Sequence, residues 1–303
     1  MSTPTSVPLA ARDAILAWYA ERGRPLAFRR TRDPYAILVS EAMAQQTQAT
    51  RAAAYWEEFT ARFPTVHALA AATPADVLRA WQGLGYDRRA LALWRAARIV
   101  VDEHGGQIPR TVAELEALPG VGPYTARAVA AIAFGLPVGA VDVNVRRVLG
   151  RIVAGDPAML TPADLQTIAD ASVPSGRAGE WTHAVMDIGA AVCRPRAPRC
   201  EACPARPWCR FASVQRSTAA PSPRAVREPA APFASTNRWL RGRILDRLRA
   251  VPDGEWVALD GAIGTHDRTR VRAAADAMAA DGVLELQRGQ NEDDGIHARL
   301  PLA

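Results

Sequence analysis

From residue 11 to about residue 212, apolar side chains recur every three or four positions, a period that predicts amphipathic helices. Pro34, Pro64, Pro74, Pro109 and Pro119 punctuate this stretch where helices can start or connect. Thr73-Pro74-Ala75-Asp76 ahead of Val77-Leu78 predicts an N-cap with proline at the first helical position. Between residues 213 and 235 the periodicity lapses. Pro221, Pro223, Pro229 and Pro232 stand there among Ser, Ala and Arg, the composition of an extended linker. Periodicity resumes near Asn237. Trp239, Ile244, Leu245 and Leu248 mark one helix, a second is expected after Val257, and a third over about 269–280. Residues 283–287 alternate like a strand, with 296–300 as the expected partner. Three helices and a hairpin predict a small winged-helix-like unit. The expected organisation is a helical core over 1–212, a linker over 213–235 and a C-terminal unit over 236–303.

Composition adds a partner class. Of 303 residues, 49% are hydrophobic, enough for a sizeable core, and alanine and leucine dominate. The formal net charge of +6 favours a polyanion such as nucleic acid. The chain contains no lysine, a bias that genomic GC content alone can produce. Its chemical consequence holds either way: no lysine Schiff base is available. No stretch approaches 18 apolar residues, so no membrane span is expected, and the first ten residues lack the pattern of a secretory signal.

The candidate chemistry begins with the cysteines. Cys193, Cys200, Cys203 and Cys209 fall within 17 residues with the spacing C-x6-C-x2-C-x5-C. Such clustering reads as a metal site before disulfides. Zinc held by four thiolates and a 4Fe–4S cluster are the candidates, and spacing alone leans only modestly to the cluster. Pro195, Pro198, Pro204 and Pro207 keep the loops non-helical, and Arg194, Arg196, Arg199, Arg206 and Arg210 would surround the site with positive charge.

Leu118-Pro119-Gly120-Val121-Gly122 precedes the helical run that begins Pro123-Tyr124. Backbone N–H groups at Gly120, Val121 and Gly122, together with a helix N-terminus, make a phosphate-binding corner. An ordinary helix–turn–helix corner has the same local sequence. About twenty residues on, Val141-Asp142-Val143-Asn144-Val145-Arg146-Arg147-Val148 follows, with Asp142 at a helix start, where capping is its ordinary role.

The combination of L-P-G-V-G and V-D-x-N-V-x-R-V resembles the helix-hairpin-helix plus Gly/Pro/Asp signature of base-excision DNA glycosylases. The cysteine spacing resembles the cluster loop of the endonuclease III and adenine glycosylase (MutY) superfamily. The resemblance covers residues 14 to about 210. It implies an all-α helix-hairpin-helix glycosylase core, with a six-helix barrel domain and an iron–sulfur domain. It also implies a 4Fe–4S cluster on Cys193, Cys200, Cys203 and Cys209, structural and DNA-facing, without a part in base removal. The partner implied is double-stranded DNA holding a mispaired or damaged base. A cytoplasmic, nucleoid-associated monomer is expected.

Within that superfamily, the segment from Pro34 to Gln48 resembles the adenine branch's P-Y-x-x-x-x-S-E-x-M-x-Q-Q-T-Q, and Gly83-Leu84-Gly85-Tyr86 its G-L-G-Y loop. Tyr124 stands where bifunctional relatives carry a lysine. The resemblance implies Glu41 as the acid that protonates adenine and Asp142 as stabiliser or transient nucleophile. Tyr124 and Asn144 would orient sugar, Asp142 and water. Gln45, Gln46 and Tyr86 would probe the base stack, and Arg29 and Asp187 would line the base pocket. The chemistry suits these types. Adenine leaves only when a ring nitrogen is protonated, which a carboxylic acid of raised pKa can do, and the sugar cation left behind needs a second carboxylate. Ile37 and Leu38, one turn before Glu41, predict its partial burial. A solvated carboxylate complementing the helix dipole is the plainer role.

Departures from the pattern are Leu26-Ala27-Phe28-Arg29 for L-P-W-R, Ala44 for leucine, Val143 for glycine and Asp87 for a second tyrosine. The C-terminal unit over 236–303 is not expected to be the long Nudix-like domain that the resemblance associates with reading 8-oxoguanine. The expected function is hydrolysis of the glycosidic bond of adenine opposite 8-oxoguanine or guanine. A same-fold glycosylase for another lesion, and a DNA-binding regulator with an inert glycosylase core, are the alternatives. Glu41 and Asp142 together argue against the last.

Overall fold

The computed structural model describes residues 5–215, 232–289 and 295–303. Most of the expected linker therefore lies outside the described residues. In chain order the helices are α1 (Leu9–Arg22), α2 (Pro34–Ala44), α3 (Ala49–Arg62), α4 (Val66–Ala71), α5 (Pro74–Ala80), α6 (Arg88–His104) and α7 (Val112–Glu116). Then follow α8 (Pro123–Phe134), α9 (Val143–Val153), α10 (Pro162–Ala171), α11 (Ala178–Asp187), α12 (Arg210–Gln215) and α13 (Asn237–Arg249). Strand β1 (Val257–Ala258), helix α14 (Arg268–Ala280) and strands β2 (Glu285–Arg288) and β3 (Ile296–Arg299) complete the chain. The helical expectation from the apolar period is borne out, including the Thr73 cap, whose side chain accepts from the Asp76 N–H with Pro74 in the first turn.

By packing, the chain forms two units, Met1–Glu41 with Ile108–Pro223, and Ala42–Gln107 with Arg224–Ala303. In the first unit, Ile15 and Leu16 of α1, Val148 and Leu149 of α9, Ile168 of α10, and Trp181 and Val185 of α11 share one core. Each such aliphatic side chain contributes roughly 1.5–3 kcal/mol by leaving water. This core fixes the mutual placement of α9 and α11. Helix α11 ends at Asp187 in a π-helical turn, Ile188–Val192. A Cβ on Gly189 in that turn would lie 2.7 Å from the Asn144 Cβ, so glycine is what lets the turn approach the start of α9.

In the second unit α6 packs on α4 and α5, and α13 packs on α14. The three strands form an antiparallel sheet in the order β1-β3-β2, with Leu286 and Val257 both opposite Ala298. The expected pairing of the last two strands is present, and the helix expected after Val257 is not. Val257 and Ala258 are strand, followed by Asp260-Gly261 and by a turn closed by an Ile263–His266 bridge. Gly264 there has φ +60°, which breaks helical propagation. The C-terminal region thus has two α-helices and three strands among the described residues.

Candidate active site

Helix α2 carries Glu41 inward: the residue is 7% exposed. Its apolar neighbours Ile37 and Leu38 are buried too, so the carboxyl is drawn from water by the core face on which it sits. Burial pushes its pKa up to about 7, against the opposing pull of a hydrogen bond from Tyr124 and the charge of Arg29, while Asp142 pushes the same way as burial. Glu41 is thus poised to hold or release a proton near neutrality. Tyr124, in the first turn of α8, has its phenol pushed well above the ordinary value by burial and by Glu41 and Asp142. It stays a neutral donor, and its hydroxyl also lies 3.8 Å from the Met186 sulfur.

Asp142 caps α9. One carboxylate oxygen accepts from the Asn144 N–H at 2.9 Å and the Val145 N–H at 2.7 Å, and the other accepts from the Asn144 side-chain amide at 2.9 Å. The capping role and the chemical role are compatible, because the cap fixes the rotamer. Asn144 in turn accepts from Arg147 Nη2 at 2.8 Å. Val143, between them, is exposed and lines a groove with Arg146, Arg147 and Met159.

Asp187 is fully buried. Arg29 binds it in bidentate fashion at 2.6 and 2.8 Å, and Arg24 adds its Nε at 2.6 Å and its backbone N–H at 2.9 Å. Burial alone would raise the Asp187 carboxyl, but these donors outweigh it and hold the group below its usual value. His183, one turn earlier on α11, is pushed down to about 3 by burial and then by Arg29, so it is neutral. The structure thus brings Glu41, Tyr124, Asp142 and Asn144 into one electrostatic neighbourhood, with Arg29 and Asp187 as a buried ion pair that also acts on it.

Cys193, Cys200, Cys203 and Cys209 line a single cavity, with Val192, Pro198 and Phe211 among its walls. Among the described residues, no three His, Cys, Asp or Glu side chains close on a point where one metal ion would sit. Arg151 reaches the Cys193 sulfur at 3.4 Å and the Arg194 and Pro195 carbonyls at 2.8 and 3.1 Å. Four thiols around one space beside a buried guanidinium fit an anionic thiolate-ligated group.

The hairpin between α7 and α8 turns at Gly120, whose φ of +77° favours glycine. The Val121 N–H is committed to the Leu118 carbonyl at 3.1 Å. A Cβ on Gly122, which caps α8, would meet no protein atom within 4 Å, so that corner is open to approach from outside.

In the second unit, Gln46 and Tyr86 both have left-handed backbone, φ 55° and 53°. For a non-glycine residue this costs on the order of 1 kcal/mol. Arg89 ties their two turns together: Nη1 donates to the Ala42, Met43 and Gln45 carbonyls and Nη2 to the Gly85 carbonyl. Tyr86 is left 45% exposed, Gln46 is exposed and Gln45 half-buried. Sequence reasoning missed Arg24, Arg89, Arg147, Arg151 and His183. Arg147 stood inside the quoted motif, and its place one turn after Asn144 on α9 was the available signal.

Comparison with known proteins gives the family. Residues 39–171 match the family described as "HhH-GPD superfamily base excision DNA repair protein". The chain is 40% identical over 273 residues to the adenine DNA glycosylase of Mycolicibacterium smegmatis, covering 89% of this chain and 91% of that protein. It is 43% identical over 240 residues to the adenine DNA glycosylase of Mycobacterium tuberculosis, covering 78% and 77%. Among solved structures, a thermostable thymine-DNA glycosylase superposes with a TM-score of 0.63 at 30% identity, covering 67% of this chain and 95% of that one.

Proposed function

The chain belongs to the adenine DNA glycosylase family within the HhH-GPD superfamily of base excision repair, and from that premise we propose that it removes adenine paired with 8-oxoguanine or guanine from double-stranded DNA. The observation that carries the chemistry is the buried Glu41 with its pKa near 7, beside Tyr124 and Asp142. Extrusion of the base from the duplex, at a cost of a few kcal/mol, brings a ring nitrogen of adenine to Glu41. Protonated Glu41 donates to that nitrogen and the glycosidic bond breaks with its electron pair leaving on the base. Asp142, held in one rotamer by the α9 cap, stands against the sugar cation as a carboxylate. Tyr124 and Asn144 keep the two carboxyl groups in register. Water completes hydrolysis. With no lysine in the chain, strand scission through a lysine imine is not part of this reaction.

Contact with DNA falls to Gly120 and Gly122 of the hairpin, which meet phosphates, and to Gln45, Gln46 and Tyr86, which meet the base stack. Cys193, Cys200, Cys203 and Cys209 would hold a 4Fe–4S cluster. When bound, the cluster supplies a covalent staple for the 193–209 loop and takes no part in proton transfer. Arg29, paired with Asp187, pulls the Glu41 pKa down against the larger effect of burial. Among the described residues no helix is long and apolar enough to cross a membrane.

The test is single-turnover base release over a panel of duplexes carrying adenine opposite 8-oxoguanine, guanine and thymine, with thymine and uracil opposite guanine as competing substrates. Release of adenine opposite 8-oxoguanine or guanine is expected to dominate. Preferential release of thymine, the base named for the thermostable structural relative, would replace this reading with the same-fold alternative.

A further inference from the structure

Residues 237–249 do more than follow the glycosylase core. Tyr86 presents a half-exposed ring on a strained backbone, between Gly85 at φ +69° and Asp87. Two guanidinium groups lie close to that ring. Arg89 stands 5.5 Å from its centroid, and Arg238, in the first turn of α13, stands over it at 4.8 Å. Arg238 also runs beside Gly85, where a Cβ would lie in ordinary contact with its Nη2 at 3.4 Å.

The same helix grips the residue after Tyr86. Arg249, whose side chain is 7% exposed, donates to Asp87 Oδ1 at 2.8 Å and twice to the Leu78 carbonyl, at 2.9 and 3.2 Å. Asp87, which replaces the tyrosine common in relatives, is therefore the anchor point for α13. Near-neighbour guanidiniums repel one another, and Arg238 does act to lower the pKa of Arg89. Both guanidiniums lie within cation–π reach of the electron-rich Tyr86 ring, and a half-exposed aromatic ring beside cations suits stacking on a nucleobase next to phosphates.

We infer that α13 is a working part of the loop that meets the base stack. Arg238 is a positioning residue that holds the Tyr86 ring ready for insertion into the duplex, and the Arg249–Asp87 pair locks the helix to that loop. The inference rests on Tyr86 entering the base stack, as proposed above.

The experiment uses the full chain and a duplex with 2-aminopurine beside the target adenine. Its fluorescence rise on binding reports unstacking independently of base release. Arg238→Ala is expected to reduce both the fluorescence rise and single-turnover adenine release by about tenfold. Duplex Kd should shift no more than in Arg243→Ala, which removes the same charge from the same helix. Arg238→Lys keeps the charge but not the planar stack and should not rescue. Tyr86→Ala/Arg238→Ala should be no worse than Tyr86→Ala.

Additive losses in the double variant, rescue by lysine, or an Arg238→Ala protein indistinguishable from Arg243→Ala would overturn the inference. If Tyr86→Ala alone leaves both readouts unchanged, the assignment of Tyr86 to the base stack fails and the inference fails with it. If the native protein unstacks the duplex in an Arg238-dependent way but releases no adenine, the inference stands and the proposed substrate does not.

Discussion

Arg147 bonds to the main chain of Cys193, its Nε donating to the cysteine carbonyl at 2.6 Å. The same guanidinium donates to Gly189 O and to Asn144 Oδ1, both at 2.8 Å, and Asn144 donates to Asp142. A loop bearing a thiol is thereby tied through two side chains to the carboxylate assigned to the sugar cation. Arg147→Met keeps an unbranched apolar stem and removes every donor. It is expected to slow single-turnover adenine release by roughly 10- to 100-fold through misplacement of Asp142. Duplex Kd should stay within a few-fold, measured by fluorescence anisotropy. Unchanged release with lost binding would place Arg147 on the DNA side.

Glu41 has two pH signatures. Its folded pKa lies near 7, above the ordinary 4.5, and the protonated form is the proposed donor. Adenine release should therefore be flat below about pH 7 and fall about tenfold per pH unit above it. Glu41→Gln should abolish release with binding retained.

The stability signature runs the same way in pH. Between pH 4.5 and 7 the native state holds a proton on Glu41 that the unfolded chain has lost, so stability declines as pH rises through this window. Above it the buried charge costs on the order of 3 kcal/mol. Glu41→Gln should accordingly raise Tm relative to the native protein at pH 8 and leave it unchanged at pH 4.5, checked by calorimetry at both values.

The cysteine site makes a compositional prediction. Protein purified without oxygen should be yellow-brown and hold about four irons per chain. Stoichiometric zinc with no iron, by elemental analysis, would reverse the assignment. Cys203→Ser is expected to lower both solubility and DNA binding.

Much of this was legible in the sequence because it is local. Thr73 and Asp142 announced themselves as caps, the glycines at 120 and 122 as a corner, and Ile37 and Leu38 as the reason Glu41 would be buried. What was not legible depends on residues far apart. Arg24 and Arg29 meet Asp187 across roughly 160 positions, and Arg249 meets Asp87 across 162. Such pairs leave no period in the sequence. Val257 and Ala258 were misread as the approach to a helix because two residues carry too little alternation to reveal a strand. Their partner, Ala298 with His297, lies forty positions on.

Asp187 carries the last prediction. Its carboxylate is buried, and its chief partner Arg29 is also nearly shielded, with a side chain 7% exposed. Asp187→Asn leaves that guanidinium charged and without a counter-ion, and breaking such a buried pair costs about 3–5 kcal/mol. Loss of the negative charge has a second effect. Arg29 already pulls the Glu41 pKa down, against burial. Freed from Asp187, it would pull harder, so the alkaline limb of the rate profile should move to lower pH and adenine release at pH 7 should fall. Arg29→Gln/Asp187→Asn removes both charges. It should regain most of the lost stability and return the limb towards, or above, its native position. Calorimetry and single-turnover pH profiles on the three proteins decide the matter. A destabilised Asp187→Asn whose limb does not move would mean that the pair only holds α11 to the Arg24–Arg29 segment. A limb displaced in the single variant and restored in the double one would identify the pair as the element that sets the acidity of Glu41.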